Sequence, residues 1–146
     1  RATATIPMVL DYRLTAKNES MYNTPPTYAW YLAGLVFEWL LEQGGLTAIG
    51  EVNRRKAEKL YRYLDGSGFY RNPIDPACRS WMNVPMILAD AKLDGAFLKG
   101  ADAAGLLNLK GHRSVGGMRA SLYNAVPEAA VDALIDYMSD FARRNG

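Results

Sequence analysis

The side chains best equipped for chemistry lie close together late in the chain, in Lys110-Gly-His-Arg-Ser-Val-Gly-Gly-Met-Arg-Ala-Ser121. This stretch holds the only histidine, His112, and two arginines, Arg113 and Arg119, around a Gly116-Gly117 pair. Two glycines let the backbone reverse sharply, because they reach positive φ at little cost. A guanidinium pairs bidentately with a carboxylate or phosphate through its planar fork of donors. One arginine at the start of a strand is held firmly, and a second reaches across the turn. Such a stretch suits a small, multiply charged anion. The same residue types would also make a basic hairpin paired with surface acids.

A second group precedes a long apolar run. In Met21-Tyr-Asn-Thr-Pro-Pro-Thr27, Asn23 and Thr24 stand just ahead of a proline that fits the first turn of a helix. A helix is expected from about Pro26 to Gln43, ended by Gly44-Gly45. Its free N–H groups and dipole favour a bound anion, to which Asn23 and Thr24 could add donors. Capping of the helix by those two side chains is the simpler role.

The elements that must position these groups follow from periodicity. The Pro26–Gln43 helix is apolar nearly all round, charged only at Glu38 and Glu42, so burial on most sides is expected. An amphipathic helix follows over Leu46–Leu64. Ile49, Val52, Leu60 and Leu64 form its apolar side, and Glu51, Arg54, Arg55, Lys56, Glu58 and Lys59 its wet side. Phe69–Arg71 and Ser80–Ala89 read as strands, the second with Met82, Val84, Met86 and Leu88 alternating against Trp81, Asn83, Pro85 and Ile87. Pro85 suggests a sheet edge or an irregular ladder there. Asp90 caps a helix through Phe97 and Ala104, Leu106–Lys110 and Met118–Asn124 read as strands, and Pro127 opens a last helix with Val131, Leu134, Ile135, Met138 and Phe141 inward. Ile6–Leu10 suggests a short extended segment. The order α, β, β, α, β, β, α from residue 46 implies an α/β (α+β) layer domain with a small mixed sheet.

Composition narrows the function classes. The chain has 146 residues, about half of them apolar at 49%, which is enough for a sizeable core. A net charge of +2 gives no reason to expect a nucleic-acid or membrane-surface protein. The one cysteine, Cys78, rules out an internal disulfide and suits a reducing, cytoplasmic setting. The longest apolar run, from Tyr28 to Phe37, is too short for a membrane span. No metal site is expected. The chain opens on Arg1 with no start signal and reads as a piece of a longer protein.

Taken together, Ser20-Met-Tyr-Asn-Thr-Pro-Pro-Thr27 and Gly111-His-Arg-Ser-Val-Gly-Gly-Met-Arg-Ala-Ser121 resemble the phosphoserine aminotransferase family, fold type I enzymes that use pyridoxal phosphate. The likeness extends to Leu10-Asp-Tyr12, Tyr31–Phe37 and Met82-Asn-Val-Pro85, and covers roughly the last two-fifths of the family's usual length. The resemblance implies that residues 1–44 end the cofactor-binding large domain and include an interdomain helix, and that residues 45–146 form the C-terminal small domain. It implies that Asn23 and Thr24 bind the cofactor phosphate of a neighbouring subunit in a homodimer. His112 and Arg113 would meet the substrate's phosphate or distal carboxylate, and Arg119 its α-carboxylate. The implied reaction moves an amino group between glutamate and 3-phosphohydroxypyruvate, giving O-phosphoserine and 2-oxoglutarate, in serine and in some bacteria pyridoxine biosynthesis. The Schiff-base lysine would precede Arg1, since Lys17, Lys56, Lys59, Lys92, Lys99 and Lys110 match none of that pattern, so this piece alone is expected to be inactive. A non-catalytic anion-binding or interaction module on the same fold is the alternative.

Overall fold

The chain divides into two units, Arg1–Gln43 and Gly44–Gly146; the computed structural model describes residues 6–146. In the first unit, Pro7 begins a 3-10 turn over Met8–Leu10 where an extended segment was expected. Helix α1 (Tyr12–Lys17) follows, capped by the Asp11 carboxylate, which accepts the Arg13 amide at 3.0 Å. Helix α2 (Thr27–Glu42) matches the expected apolar helix, but none of its residues is buried. Tyr28, Trp30, Tyr31, Phe37 and Leu41 are all more than 60% exposed. The reason is simple: among its described residues the first unit has no buried side chain, so nothing within it can cover the helix.

The second unit contains the core. Helix α3 (Gly45–Asp65) is followed by strands β1 (Tyr70–Arg71) and β2 (Asn83–Leu88), helix α4 (Asp94–Ala103), strand β3 (Met118–Ser121) and helix α5 (Glu128–Asn145). The sheet order is β1-β2-β3, and both pairings are antiparallel, so the sheet is not mixed. Val84, Met86, Leu88, Met118 and Ala120 point into the core. Pro85, Ile87, Arg119 and Ser121 alternate with them on the opposite face, as the period of two requires. The helices meet the buried face. Val131, Leu134, Met138 and Phe141 of α5 are buried there as expected, each contributing about 1.5–3 kcal/mol by leaving water. Phe97 of α4 sits edge-on to Tyr137 and Phe141 with both centroids 5.1 Å away. The Tyr70 hydroxyl donates to the Met138 carbonyl at 2.9 Å and that of Tyr137 to the Phe97 carbonyl at 2.7 Å, so both buried phenols are satisfied.

Four expectations change for local reasons. Lys56 is not on the wet side of α3: it is fully buried, and its ammonium donates to the carbonyls of Leu122, Tyr123 and Val126 at 3.3, 2.9 and 2.9 Å. It thereby ties α3 to the turn between β3 and α5. Pro85 lies in the central strand. It is tolerated because β1 pairs only with Ile87 and Leu88, so no neighbour strand needs the N–H that Pro85 lacks. Leu106–Lys110 is not a strand; only Lys110 forms a bridge, to Met118. Gly105 and Asn108, at φ +79° and +62°, turn the preceding backbone out of extended form. Strand β3 likewise ends at Ser121, short of Asn124.

Candidate functional site

The Lys110–Ser121 stretch folds as a hairpin on the outer edge of β3. The Gly111 amide donates to the Gly117 carbonyl at 2.9 Å, and the Arg119 amide to that of Leu109 at 2.7 Å. Between them the amides of Val115 and Gly116 both donate to the His112 carbonyl at 2.9 Å. Gly116 and Gly117 have φ +77° and +59°, the positive values the sequence anticipates. Gly111 is required for a different reason. A Cβ there would collide with the Gly116 carbonyl oxygen and stand 2.8 Å from that of Gly117.

The hairpin presents its three functional side chains differently. Arg119 is opposite Pro85 in the β2–β3 register and is half-buried. Its Nε is buried and has no hydrogen-bond partner among the described residues. His112 is exposed; its Nδ1 lies 2.7 Å from the Ser114 hydroxyl and accepts the Ser114 amide at 3.3 Å. With Nδ1 turned to Ser114, Nε2 is the ring nitrogen left open to a ligand. His112 and Arg119 share a cavity of about 140 Å³, whose remaining wall includes Pro73, Ile74, Pro85 and Val115. Arg113 does not line this cavity and projects into solvent. Among the described residues, none of these three enters an ion pair. A basic hairpin neutralised by surface acids is therefore not what the chain forms.

Asn23 and Thr24 belong to the first unit, and both are exposed. Neither caps α2: Pro26 occupies the N-cap position and no side chain bonds the first turn. The Thr27 amide donates to Pro25 at 2.8 Å and that of Trp30 to Pro26 at 3.1 Å, while the amides of Tyr28 and Ala29 have no intrachain partner among the described residues. Two free amides at the positive end of a helix, beside an amide and a hydroxyl side chain, suit a phosphate group.

A wider cleft, about 430 Å³, lies between α3 and the Pro76–Arg79 segment. Of its two arginines, Arg62 is exposed at the rim and Arg79 is already used. Arg79 grips both Asp65 carboxylate oxygens at 2.6 Å and lies 4.5 Å over the Tyr61 ring. The hydrogen bond from Arg79 holds the Asp65 carboxyl below its ordinary range. Glu58 and Asp65 also line that cleft, so its charge is mixed, whereas the cavity shared by His112 and Arg119 has no carboxylate in its lining. Two features escape the sequence reading. Lys56 falls on the same stripe as Asn53, Ala57, Leu60, Tyr61 and Leu64, so helical spacing alone could have found it. The Pro73–Ile74 wall had no such signal.

Among the described residues no helix is long and apolar enough to cross a membrane, and no cluster of histidine, cysteine and carboxylates could hold a metal. Sequence comparison supplies the class that the antiparallel sheet, its helical cover and the arginine hairpin define. The family model described as Aminotransferase class-V matches residues 3–134, so the chain belongs to the class-V aminotransferases. Within that family it is similar to the phosphoserine aminotransferase of Hahella chejuensis, 63% identical over 144 residues, covering 99% of this chain and 40% of that protein. Phosphoserine aminotransferase from Bacillus circulans subsp. alkalophilus superposes with a TM-score of 0.89 at 44% identity, over 97% of this chain and 39% of that one. A phosphoserine aminotransferase from Trichomonas vaginalis, described as PLP bound, gives 0.83 at 45% identity, over 92% and 39%. The chain thus spans about two-fifths of the length of these relatives.

Proposed function

We propose that this chain is the C-terminal part of a pyridoxal-phosphate-dependent phosphoserine aminotransferase, acting in serine biosynthesis between glutamate and 3-phosphohydroxypyruvate. The observation that carries this reading is the buried, partnerless Nε of Arg119 beside His112, in a chain 63% identical to such an enzyme. An orphaned donor of that kind is costly unless a ligand completes it. We assign Arg119 to the substrate α-carboxylate, and His112 and Arg113 to its phosphate or distal carboxylate. Held at both ends, a three-carbon substrate keeps its reacting carbon in one place, which removes much of the entropy cost of reaction. The open Nε2 side of His112 and the exposed fork of Arg113 suit phosphate oxygens. A related four-carbon substrate, and so pyridoxine biosynthesis, fits the same charges.

Asn23, Thr24 and the free amides at the start of α2 would hold the cofactor phosphate. When bound, pyridoxal phosphate supplies an electron sink for the substrate's α-carbon. We place that cofactor in a site shared between subunits of a homodimer, which the exposed apolar α2 supports, since a helix so apolar needs a cover. The Schiff-base lysine is assigned to no lysine of this chain; Lys56 and Lys59 are already engaged, on carbonyls and on Asp132. The piece alone is therefore inactive in this reading. The lone Cys78 suits the cytoplasm. The test is an aminotransferase assay of the intact protein with glutamate and 3-phosphohydroxypyruvate. Arg113→Ala is expected to cost about 2–5 kcal/mol in kcat/KM for the phosphorylated substrate, the scale for stripping one partner from a desolvated charge pair. An unchanged value would mean that the natural substrate carries no phosphate.

A further inference from the structure

Asn72 is uncharged and lies outside the hairpin, yet it connects the sheet to the cavity. Its Nδ2 donates to the Pro85 carbonyl at 2.6 Å, and its Oδ1 accepts the Ile74 amide at 2.9 Å. Pro85 is the residue opposite Arg119 in the β2–β3 register. A neighbouring strand cannot continue past a residue without an N–H, so the chain leaves the ladder after Arg71. The Asn72 side chain takes the carbonyl that a continued β1 would have used. Its other end closes a tight turn on the backbone two residues on. Both ends of one amide are thus fixed. The result is that Pro73 and Ile74 stand as an apolar wall of the cavity shared by His112 and Arg119.

We propose that Asn72 is a positioning residue of the anion site, holding Pro73 and Ile74 as the wall that confines a bound substrate's carbon skeleton beside His112 and Arg119. The wall has a physical purpose. Guanidinium–anion contacts strengthen as water is excluded, and the other side chains that close the cavity around His112 and Arg119 are the apolar ones of Pro85, Val115 and Met118. A displaced wall would admit water to the Arg119 fork and loosen the hairpin loop opposite. The proposal rests on the aminotransferase reading for its substrate, but the mechanical link from Asn72 to the loop does not.

The experiment uses the intact protein with its cofactor and two variants, Asn72→Ala and Ile74→Ala. Steady-state kinetics with O-phosphoserine and 2-oxoglutarate are run beside thermal unfolding and amide hydrogen exchange. Each variant is expected to raise KM for O-phosphoserine about tenfold, with a much smaller change in kcat, as loss of contacts made equally to substrate and transition state does. The Val115 and Gly116 amides, protected here by the His112 carbonyl, should exchange faster in both. If both variants keep the KM and the loop exchange of the parent, Asn72 serves stability alone and the proposal is overturned. Should Asn72→Ala fail to fold, Ile74→Ala decides by the same criteria, since Ile74 is 36% exposed and outside the core. A parent that does not turn over O-phosphoserine sinks the functional reading, and loop exchange then decides the positioning role: acceleration supports it and unchanged exchange overturns it.

Discussion

Arg119 and Lys56 are the two side chains whose surroundings say most about their roles, and they say opposite things. Lys56 is buried with every visible need met: three carbonyls at the end of β3 surround its ammonium. Burial pushes its pKa down, because the charged form is the one that loses water. It is a structural cation, and Lys56→Met should leave those carbonyls without a partner. A loss of about 1–3 kcal/mol is expected in urea unfolding, the cost of buried acceptors left unmade. Arg119, by contrast, keeps a buried Nε with nothing to bond. The sequence revealed Arg119 through its glycine-flanked motif. It misassigned Lys56 because charge was weighed above position, although spacing placed that lysine on the buried stripe.

At the scale of elements, the hairpin depends on backbones approaching more closely than side chains allow. Gly111→Ala would drive a Cβ into the Gly116 carbonyl and should cost about 1–3 kcal/mol while displacing the loop. Gly95→Ala is the matched control. It lies in α4 with open space around its missing Cβ, so it should stabilise the protein by about 0.5–1 kcal/mol. Thermal or chemical unfolding of the two variants side by side checks both signs. The long helices were legible because a stripe repeats over many turns. The strands were less so: Pro85 argued for an edge, yet β1 is so short that the central strand is locally an edge at that residue. Leu106–Lys110 had the apolar content of a strand, but positive φ at Gly105 and Asn108 left only Lys110 paired.

For the molecule as a whole, the packed unit carries four tyrosines, Tyr61, Tyr63, Tyr70 and Tyr137, whose pKa values are raised chiefly by burial. The unfolded chain releases these protons near pH 10.0, while the folded chain keeps them. Stability present below that value is therefore lost as pH rises above it. Lys56 works in the opposite direction, since its lowered value makes the unfolded state the better proton binder. The tyrosines outnumber it, so alkaline unfolding is expected above about pH 10. Tyr70→Phe should lose about 1 kcal/mol at neutral pH with its bond to Met138, yet show a shallower decline between pH 9 and 11 in urea titrations. The first unit presents the opposite picture, an apolar helix with no cover of its own. Its apolarity was plain in the sequence, whereas what covers it was not, because the covering surface belongs to residues outside this chain in the proposed reading.

The central claim is that His112, Arg113 and Arg119 form the grip on a phosphorylated amino acid. Calorimetric titration of the intact protein with O-phosphoserine tests it most directly. The expected result is saturable binding, weakened at least about a hundredfold when Arg113 and Arg119 are both replaced by alanine. Binding that survives the double replacement, or no binding by the parent, would contradict the claim.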